Sequence, residues 1–389
     1  MKVKYKEEPR GQQSCPPYET IMNLTEIFCQ DRAVDSLQRA FAAGKVPHAV
    51  IFAGPEGVGK FTTAKCWAEL LLCASPVKKD NAFIHCGKCP SCLAFDADSH
   101  PDFHHIYKEL IQFTKDSQNR KKTPIDLPID VIREFILEKV STKSALSASK
   151  VFVISESERL NIASQNALLK VLEEPPGKSF IILLCTKIEN LLPTTKSRCQ
   201  LVRFGSLSDE KIIAHLVACG VDKNQAKFWA GFTAGSIGQA ELFSRLEPSF
   251  YDIKKQTVKR FADLKITDAI DFAQWLGSTA SKLAESLEKL RPDTSKSDIA
   301  RQTKKAFVQI FVSVLSDAMR ADFAVGGKIV HFDQTDCVGK IAQRYDCRRC
   351  ADLIEACFET GRFIDASVNE KLLFEHLLLN LTNSGTIRV

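Results

Sequence analysis

The chain has 389 residues, a formal net charge of +6, 44% hydrophobic residues and 26% charged ones. That length exceeds one ordinary core, so two or three domains are expected. The composition is that of a soluble globular protein: no segment reaches membrane-span length, and there is no internal repeat or extended low-complexity tract. The mild positive charge is too weak to establish nucleic-acid binding, yet it suits a surface that meets a phosphate backbone.

Residues 1–23 form a polar tail that mixes charges with Pro9, Gly11, Pro16 and Pro17 and lacks the apolar stretch of a secretory signal. A cytoplasmic location is therefore expected. Folding should begin near Leu24. Residues 30–43 read as a helix, and 48–53 as a short apolar strand that feeds directly into the run Gly54-Pro55-Glu56-Gly57-Val58-Gly59-Lys60. The next helix, 62–72, places Ala64, Ala68, Leu71 and Leu72 on one side with Trp67 beside them. Apolar runs at 151–154, 180–184 and 200–204 alternate with helical or irregular stretches, the pattern of a parallel α/β sheet. The polar stretch 114–124 reads as an exposed loop. Its basic cluster Arg120-Lys121-Lys122 has no interleaved aromatics, so a solvated loop is favoured over a DNA contact. After Phe204 the strand signal fades. Residues 208–280 read as short helices punctuated by Gly220, Gly231, Gly235 and Gly238, residues 291–297 as a linker, and most of 298–381 as helical again.

Strand, glycine loop and helix together make the context of a P-loop, where backbone amides curl around an anion and Lys60 supplies positive charge to terminal phosphates. Gly54, Gly57, Gly59, Lys60 and Thr62 are the candidate nucleotide contacts. The position after Lys60, where a Ser or Thr hydroxyl should ligate Mg²⁺, holds Phe61, and Thr62 lies one position too far along the helix to replace it without a shifted register. The apolar run 151–154 should end in a metal-binding Asp and ends in Ser155-Glu156 instead. Glu156 retains a carboxylate able to orient a water, but both metal anchors are weakened. The expectation is a site that binds ATP without turning it over and holds Mg²⁺ poorly; an active ATPase is the alternative.

Cys73, Cys86, Cys89 and Cys92 form C-x12-C-x2-C-x2-C immediately after the P-loop helix. Four thiolates close a tetrahedral site, which suits structural Zn²⁺ and leaves no open position for catalysis. An iron–sulfur cluster is the rival, but Asp96 stands where the next cysteine of a ferredoxin-type run would be. With no export signal, fourteen cysteines imply metal binding and a reducing compartment before they imply disulfides. Cys347-Arg348-Arg349-Cys350 is a lone pair and reads as structural, and His100-Pro101-Asp102 with His104 and His105 fits no standard metal spacing and reads as capping. Ser197-Arg198-Cys199 sits just before the run 200–204, which places Arg198 in a tight turn where its guanidinium can reach across an interface. An arginine finger supplied to a neighbour's γ-phosphate changes rates by about 10³ to 10⁵.

These motifs in this order give the chain a specific likeness. It resembles the delta-prime family of bacterial DNA polymerase III clamp-loader subunits, within the AAA+ proteins. The resemblance is carried by 48–60, the four cysteines, His100-Pro101-Asp102, the stretch 161–176 and Leu192 through Cys199. It implies an α/β AAA+ P-loop domain with a parallel sheet over 24–205 carrying the zinc module at 73–92. A small helical lid domain over 206–285 and an all-helical collar domain over 298–389 would follow. Gly235-Ser236-Ile237-Gly238-Gln239-Ala240 resembles the lid element that carries a second phosphate-sensing arginine in hydrolysing relatives, with Gln239 in its place. The final helix, with Val368-Asn369 and Leu372-Leu373, is similar to the collar. The implied function is DNA replication: a subunit of a five-membered ring that places a sliding clamp on primed DNA. Gamma or tau subunits would be the ATP-hydrolysing motors, delta would open the clamp, and Arg198 would act as a finger in trans. A gamma- or tau-like ATPase in which Thr62 or Glu56 compensates is the alternative, and a DNA-binding adaptor outside any ring is a third reading.

Overall fold

The computed structural model describes residues 23–116, 125–292, 294–322, 328–366 and 370–382. Most of the polar tail, the basic cluster Arg120-Lys121-Lys122 and Val368-Asn369 lie outside the described residues. The strands are β1 (Ala49–Ala53), β2 (Val77–Lys79), β3 (Ala82–Ile84), β4 (Phe103–Ile106), β5 (Lys150–Ile154), β6 (Ser179–Cys185) and β7 (Gln200–Arg203). Five of them form one sheet in the order β4-β5-β6-β1-β7, and every neighbouring pair is parallel. The strand that feeds the glycine loop thus lies inside the sheet, between β6 and β7.

The unbroken apolar runs at β5 and β6 follow from cover on both faces. Along each strand successive side chains go to opposite sides. Val50, Phe52, Val151, Val153 and Ile182 join one core with Leu37 and Trp67 of the helices Asp31–Ala42 and Lys60–Leu72. Ile51, Phe152, Ile154, Ile181 and Leu183 join the other with Leu127, Val131, Ile136, Leu168 and Leu172. β2 and β3 make a separate antiparallel hairpin in the cysteine module, turning at Asp80 and Asn81, both with positive φ.

After β7 the described chain is helical. The helices Asp209–Ala218, Lys223–Phe232, Ile237–Ser244 and Phe250–Ala262 come first, followed by Ala269–Leu290, Lys296–Asp322, Thr335–Arg344, Cys347–Asp365 and Glu370–Thr382. The first sheet core runs on through Phe228, Trp229, Phe232 and Phe250 into Phe307, Phe311 and Phe374. Ala269–Leu290 packs against both Lys296–Asp322 and Glu370–Thr382. The helical region also folds back on the glycine loop, where Gly238 N–H donates to Gly57 O at 2.9 Å. Among the described residues, no helix is long and apolar enough to cross a membrane.

Candidate functional site

The loop after β1 has the geometry that its glycines anticipate. Gly57 and Gly59 adopt φ of 71° and 96°, and Gly59 caps the helix Lys60–Leu72, which begins two residues before the expected 62. A Cβ at Gly57 would sit 2.2 Å from Ser236 Oγ, so the loop tip accepts only glycine beneath the helical region. Lys60 is 8% exposed; its ammonium donates to Gly54 O at 2.5 Å and also to Pro55 O. Burial pulls its pKa below the usual lysine value, with Glu158 and Glu56 opposing the shift. Thr62 is partly exposed on the first helical turn, and it is Thr63 that turns its hydroxyl inward, donating to Gly59 O at 2.8 Å.

The two positions expected to hold Mg²⁺ are linked to each other through His105. The Phe61 ring lies 4.6 Å from the His105 ring, centroid to centroid, and His105 Nε2 is 2.8 Å from Ser155 Oγ at the carboxyl end of β5. Burial lowers the His105 pKa to about 4, so the imidazole is neutral at pH 7. An aromatic ring, a neutral imidazole and a hydroxyl thus replace the carboxylate and alcohol that a hydrated divalent cation requires. The donor set does not fit Mg²⁺.

Glu156, with φ 48°, is also committed. Arg159 Nε lies 2.8 Å from its Oε1 and Lys108 Nζ 3.0 Å from its Oε2. Lys108, only 3% exposed, reaches further to Asp298 Oδ2 at 2.5 Å, and Asp298 pairs with Arg301 on the helix Lys296–Asp322. The carboxylate that the sequence offered as a water-orienting base is therefore the end of a charged chain that leads into the C-terminal helices.

Arg198 follows the short helix Pro193–Lys196, in a turn ahead of β7. Its side chain is 31% exposed; Nε donates to Glu173 Oε1 at 2.5 Å and Nη1 to Thr194 O at 2.9 Å. The turn is held from beneath by Gln165, whose Oε1 accepts from Leu192 N–H at 2.8 Å and from Thr195 Oγ1 at 3.3 Å.

The four predicted cysteines converge. Their sulfurs all lie within 4.8 Å of one another, with Cys86 and Cys92 at 4.0 Å and Cys89 and Cys92 at 3.5 Å. A tetrahedral thiolate site with Zn–S bonds of about 2.3 Å requires sulfur separations near ~3.8 Å, so the donor set fits the ion. Backbone N–H groups of Cys86 and Cys92 donate to the sulfurs of Cys73 and Cys89. Below the module, His100 Nε2 meets Ser91 Oγ at 2.8 Å and Ser147 Oγ at 3.1 Å, while Asp102 accepts from the backbone of Ala145, Leu146 and Ser147. His100 and Asp102 thus clamp the module to the sheet, the structural role that their spacing suggested. Lys108 and Glu173 carry no signal of their role in the sequence, and the spacing of His105 suggests only a structural one.

A parallel sheet with its glycine loop inside it, helices folded back on that loop and an arginine turn beside β7 make this a P-loop protein of AAA+ architecture. The family described as DNA polymerase III, delta subunit, matches residues 29–208, and its C-terminal counterpart matches 281–383. The chain is 35% identical over 152 residues to DNA polymerase III subunit delta' of Pseudomonas aeruginosa, covering 39% of this chain and 41% of that one. It is 23% identical over 356 residues to the delta' subunit of Bacillus subtilis, covering 90% and 96%. The chain belongs to the DNA polymerase III clamp-loader family, and within it is delta-prime-like. Subunits named gamma and tau also match, at 31% identity over 56% and 49% of this chain. A solved DNA polymerase III gamma-subunit-related protein of Thermotoga maritima overlays with a TM-score of 0.46 at 13% identity, covering 90% of this chain and 99% of that one.

Proposed function

We propose that this chain is a clamp-loader subunit that does not hydrolyse ATP and instead supplies Arg198 to the ATP site of a neighbouring gamma- or tau-type subunit. Delta, the sliding clamp and primed DNA are the further partners of that assembly, in the cytoplasm. The observation that carries the reading is a contrast within one chain. Arg198 is partly exposed at an edge turn and held by Glu173 and Thr194, while the two positions for Mg²⁺ hold Phe61 and Ser155, joined through His105. Gly54, Gly57, Gly59, Lys60 and Thr62 remain the residues that would meet the phosphates of a bound nucleotide. Zn²⁺, held by Cys73, Cys86, Cys89 and Cys92, would supply a cross-link that fixes the module's fold.

The test is DNA- and clamp-stimulated ATP hydrolysis by a loader reconstituted with its partner subunits and either this chain or its Arg198→Ala variant. A rate at least about tenfold lower with assembly intact is expected. An unchanged rate overturns the finger. Hydrolysis by the purified chain that disappears in Lys60→Ala would establish the motor alternative. Tight binding of primed DNA by the isolated chain would favour the adaptor reading.

A further inference from the structure

We infer that Glu173 is the positioning residue for Arg198, an inference that rests on the reading of Arg198 as an arginine finger. An arginine in an exposed turn samples many rotamers, whereas transition-state stabilisation demands one fixed placement of the guanidinium. Here two nitrogens of Arg198, Nε and Nη2, converge on the single oxygen Oε1 of Glu173, and Nη1 donates to Thr194 O at 2.9 Å. Those bonds restrain the guanidinium along one side while leaving it 31% exposed.

The carboxylate stands on an anchored helix, although its side chain is half exposed. Glu173 ends the helix Ile162–Glu173, which is capped by Asn161, whose side chain accepts from Ser164 N–H, and is seated by buried Leu168, Val171 and Leu172. Gln165, on the same helix, binds the turn that carries the arginine through Leu192 N–H and Thr195 Oγ1. Helix and turn are therefore joined at two points, and the finger is aimed by a rigid element rather than by its own loop. Half-exposed ion pairs contribute little to folding stability. The consequence of this one falls on the arginine's direction.

In the reconstituted loader, Glu173→Ala is expected to lower kcat for ATP about tenfold and to leave KM within about twofold, because the motor's own nucleotide site is intact. Glu173→Gln keeps an acceptor oxygen and should retain about half of the rate. On an Arg198→Ala background, Glu173→Ala should have no further effect. A wild-type or raised kcat for Glu173→Ala, with Arg198→Ala still slow, overturns the inference and leaves the finger standing. An equal fractional loss on the Arg198→Ala background also overturns it, since Glu173 would then act through the helix alone. If Arg198→Ala itself leaves the rate unchanged, the finger reading fails and this inference falls with it. Should Glu173→Ala not enter the ring, Glu173→Asp, which withdraws the carboxylate by one methylene, decides: wild-type kcat overturns the assignment and a reduced kcat supports it.

Discussion

Phe61 and Ser155 show how two substitutions close a metal site. The ring at 61 packs against His105 at a tilt of 45°, and His105 in turn occupies the hydroxyl of Ser155. Restoring ligands at both positions, in Phe61→Thr with Ser155→Asp, is expected to leave phosphate release by the isolated chain undetectable. Glu156 stays in its ion pairs with Lys108 and Arg159, and release at a rate that Lys60→Ala abolishes would contradict this. A second buried imidazole sets a pH dependence. His331 is fully buried, bonded through Nε2 to Ser313 Oγ at 2.8 Å and faced by Phe228, Lys254 and Asp333. Burial lowers its pKa to about 3, with Lys254 adding to the shift and Asp333 opposing it. Between that value and about 6.5 the unfolded chain binds a proton that the folded chain refuses, so stability is complete above 6.5 and declines as pH falls. At pH 5 the cost is about 2 kcal/mol, being roughly 1.5 units at ~1.36 kcal/mol each. Urea unfolding at pH 7 and pH 5 should show His331→Gln narrowing the gap between the two by about that amount.

Cys73 caps the helix Lys60–Leu72, but Cys86 follows the hairpin β2–β3, and Cys89 caps and Cys92 lies within the helix Pro90–Asp96, elements too short to stand alone. Metal analysis of the purified protein is expected to give about one zinc per chain, and chelation or Cys89→Ser should lower the melting temperature of the whole chain, because metal binding is coupled to local folding. A different constraint governs the joint between β7 and the first helices. Gly235 has φ 92°, and a Cβ there would lie 2.5 Å from Ser206 Cβ, whereas a Cβ on Gly277, inside the helix Ala269–Leu290, would enter open space. Gly235→Ala should therefore cost about 2 kcal/mol or more, and Gly277→Ala should stabilise by about 0.5–1 kcal/mol, in paired denaturant titrations. The elements themselves were unevenly readable. β1, β5 and β6 announce themselves as apolar runs because both faces of the sheet are covered, whereas β7, an edge strand in which Val202 alone is buried, shows only Leu201 and Val202 with Phe204 just beyond it. β4 shows no such run, because its four residues include His104 and His105, and a strand paired along one edge needs less apolar surface. The hairpin was missed as well: three-residue strands of which β2 is fully exposed leave no periodicity, although Asp80-Asn81 was a turn signal. The glycine loop and the four cysteines were readable because their chemistry fixes residue type and spacing together. Glu173 was not, since a carboxylate at a helix end has many roles and only the fold brings Arg198 to it.

The expected division at 206–285 and 298–389 places a boundary inside the helix Ala269–Leu290, whose buried face belongs with Lys296–Asp322 and Glu370–Thr382. We propose that the helical part divides ahead of this helix, near residue 265. Across the whole chain, the sheet region is tied to the last helices by Lys108, and no sequence signal joins positions so far apart. Lys108 is 3% and Asp298 7% exposed at the side chain, and Lys108 bridges Asp298 to Glu156 at 2.5 Å and 3.0 Å. Burial pushes the Asp298 carboxyl up, and bonds from Lys108 and Arg301 more than offset it, so its pKa lies below the usual carboxylate range. That contribution is present at neutral pH and is lost as pH falls through the folded value. A buried ion pair costs desolvation that the partner offsets, so removing one member leaves the other buried and uncompensated, and part of that loss is shared when both are removed. Lys108→Met should destabilise by about 3 kcal/mol, Asp298→Asn by a similar amount, and the double variant by at least about 1 kcal/mol less than their sum. If unfolding free energies prove additive, the pair carries no coupling energy and the two regions are not joined energetically through it.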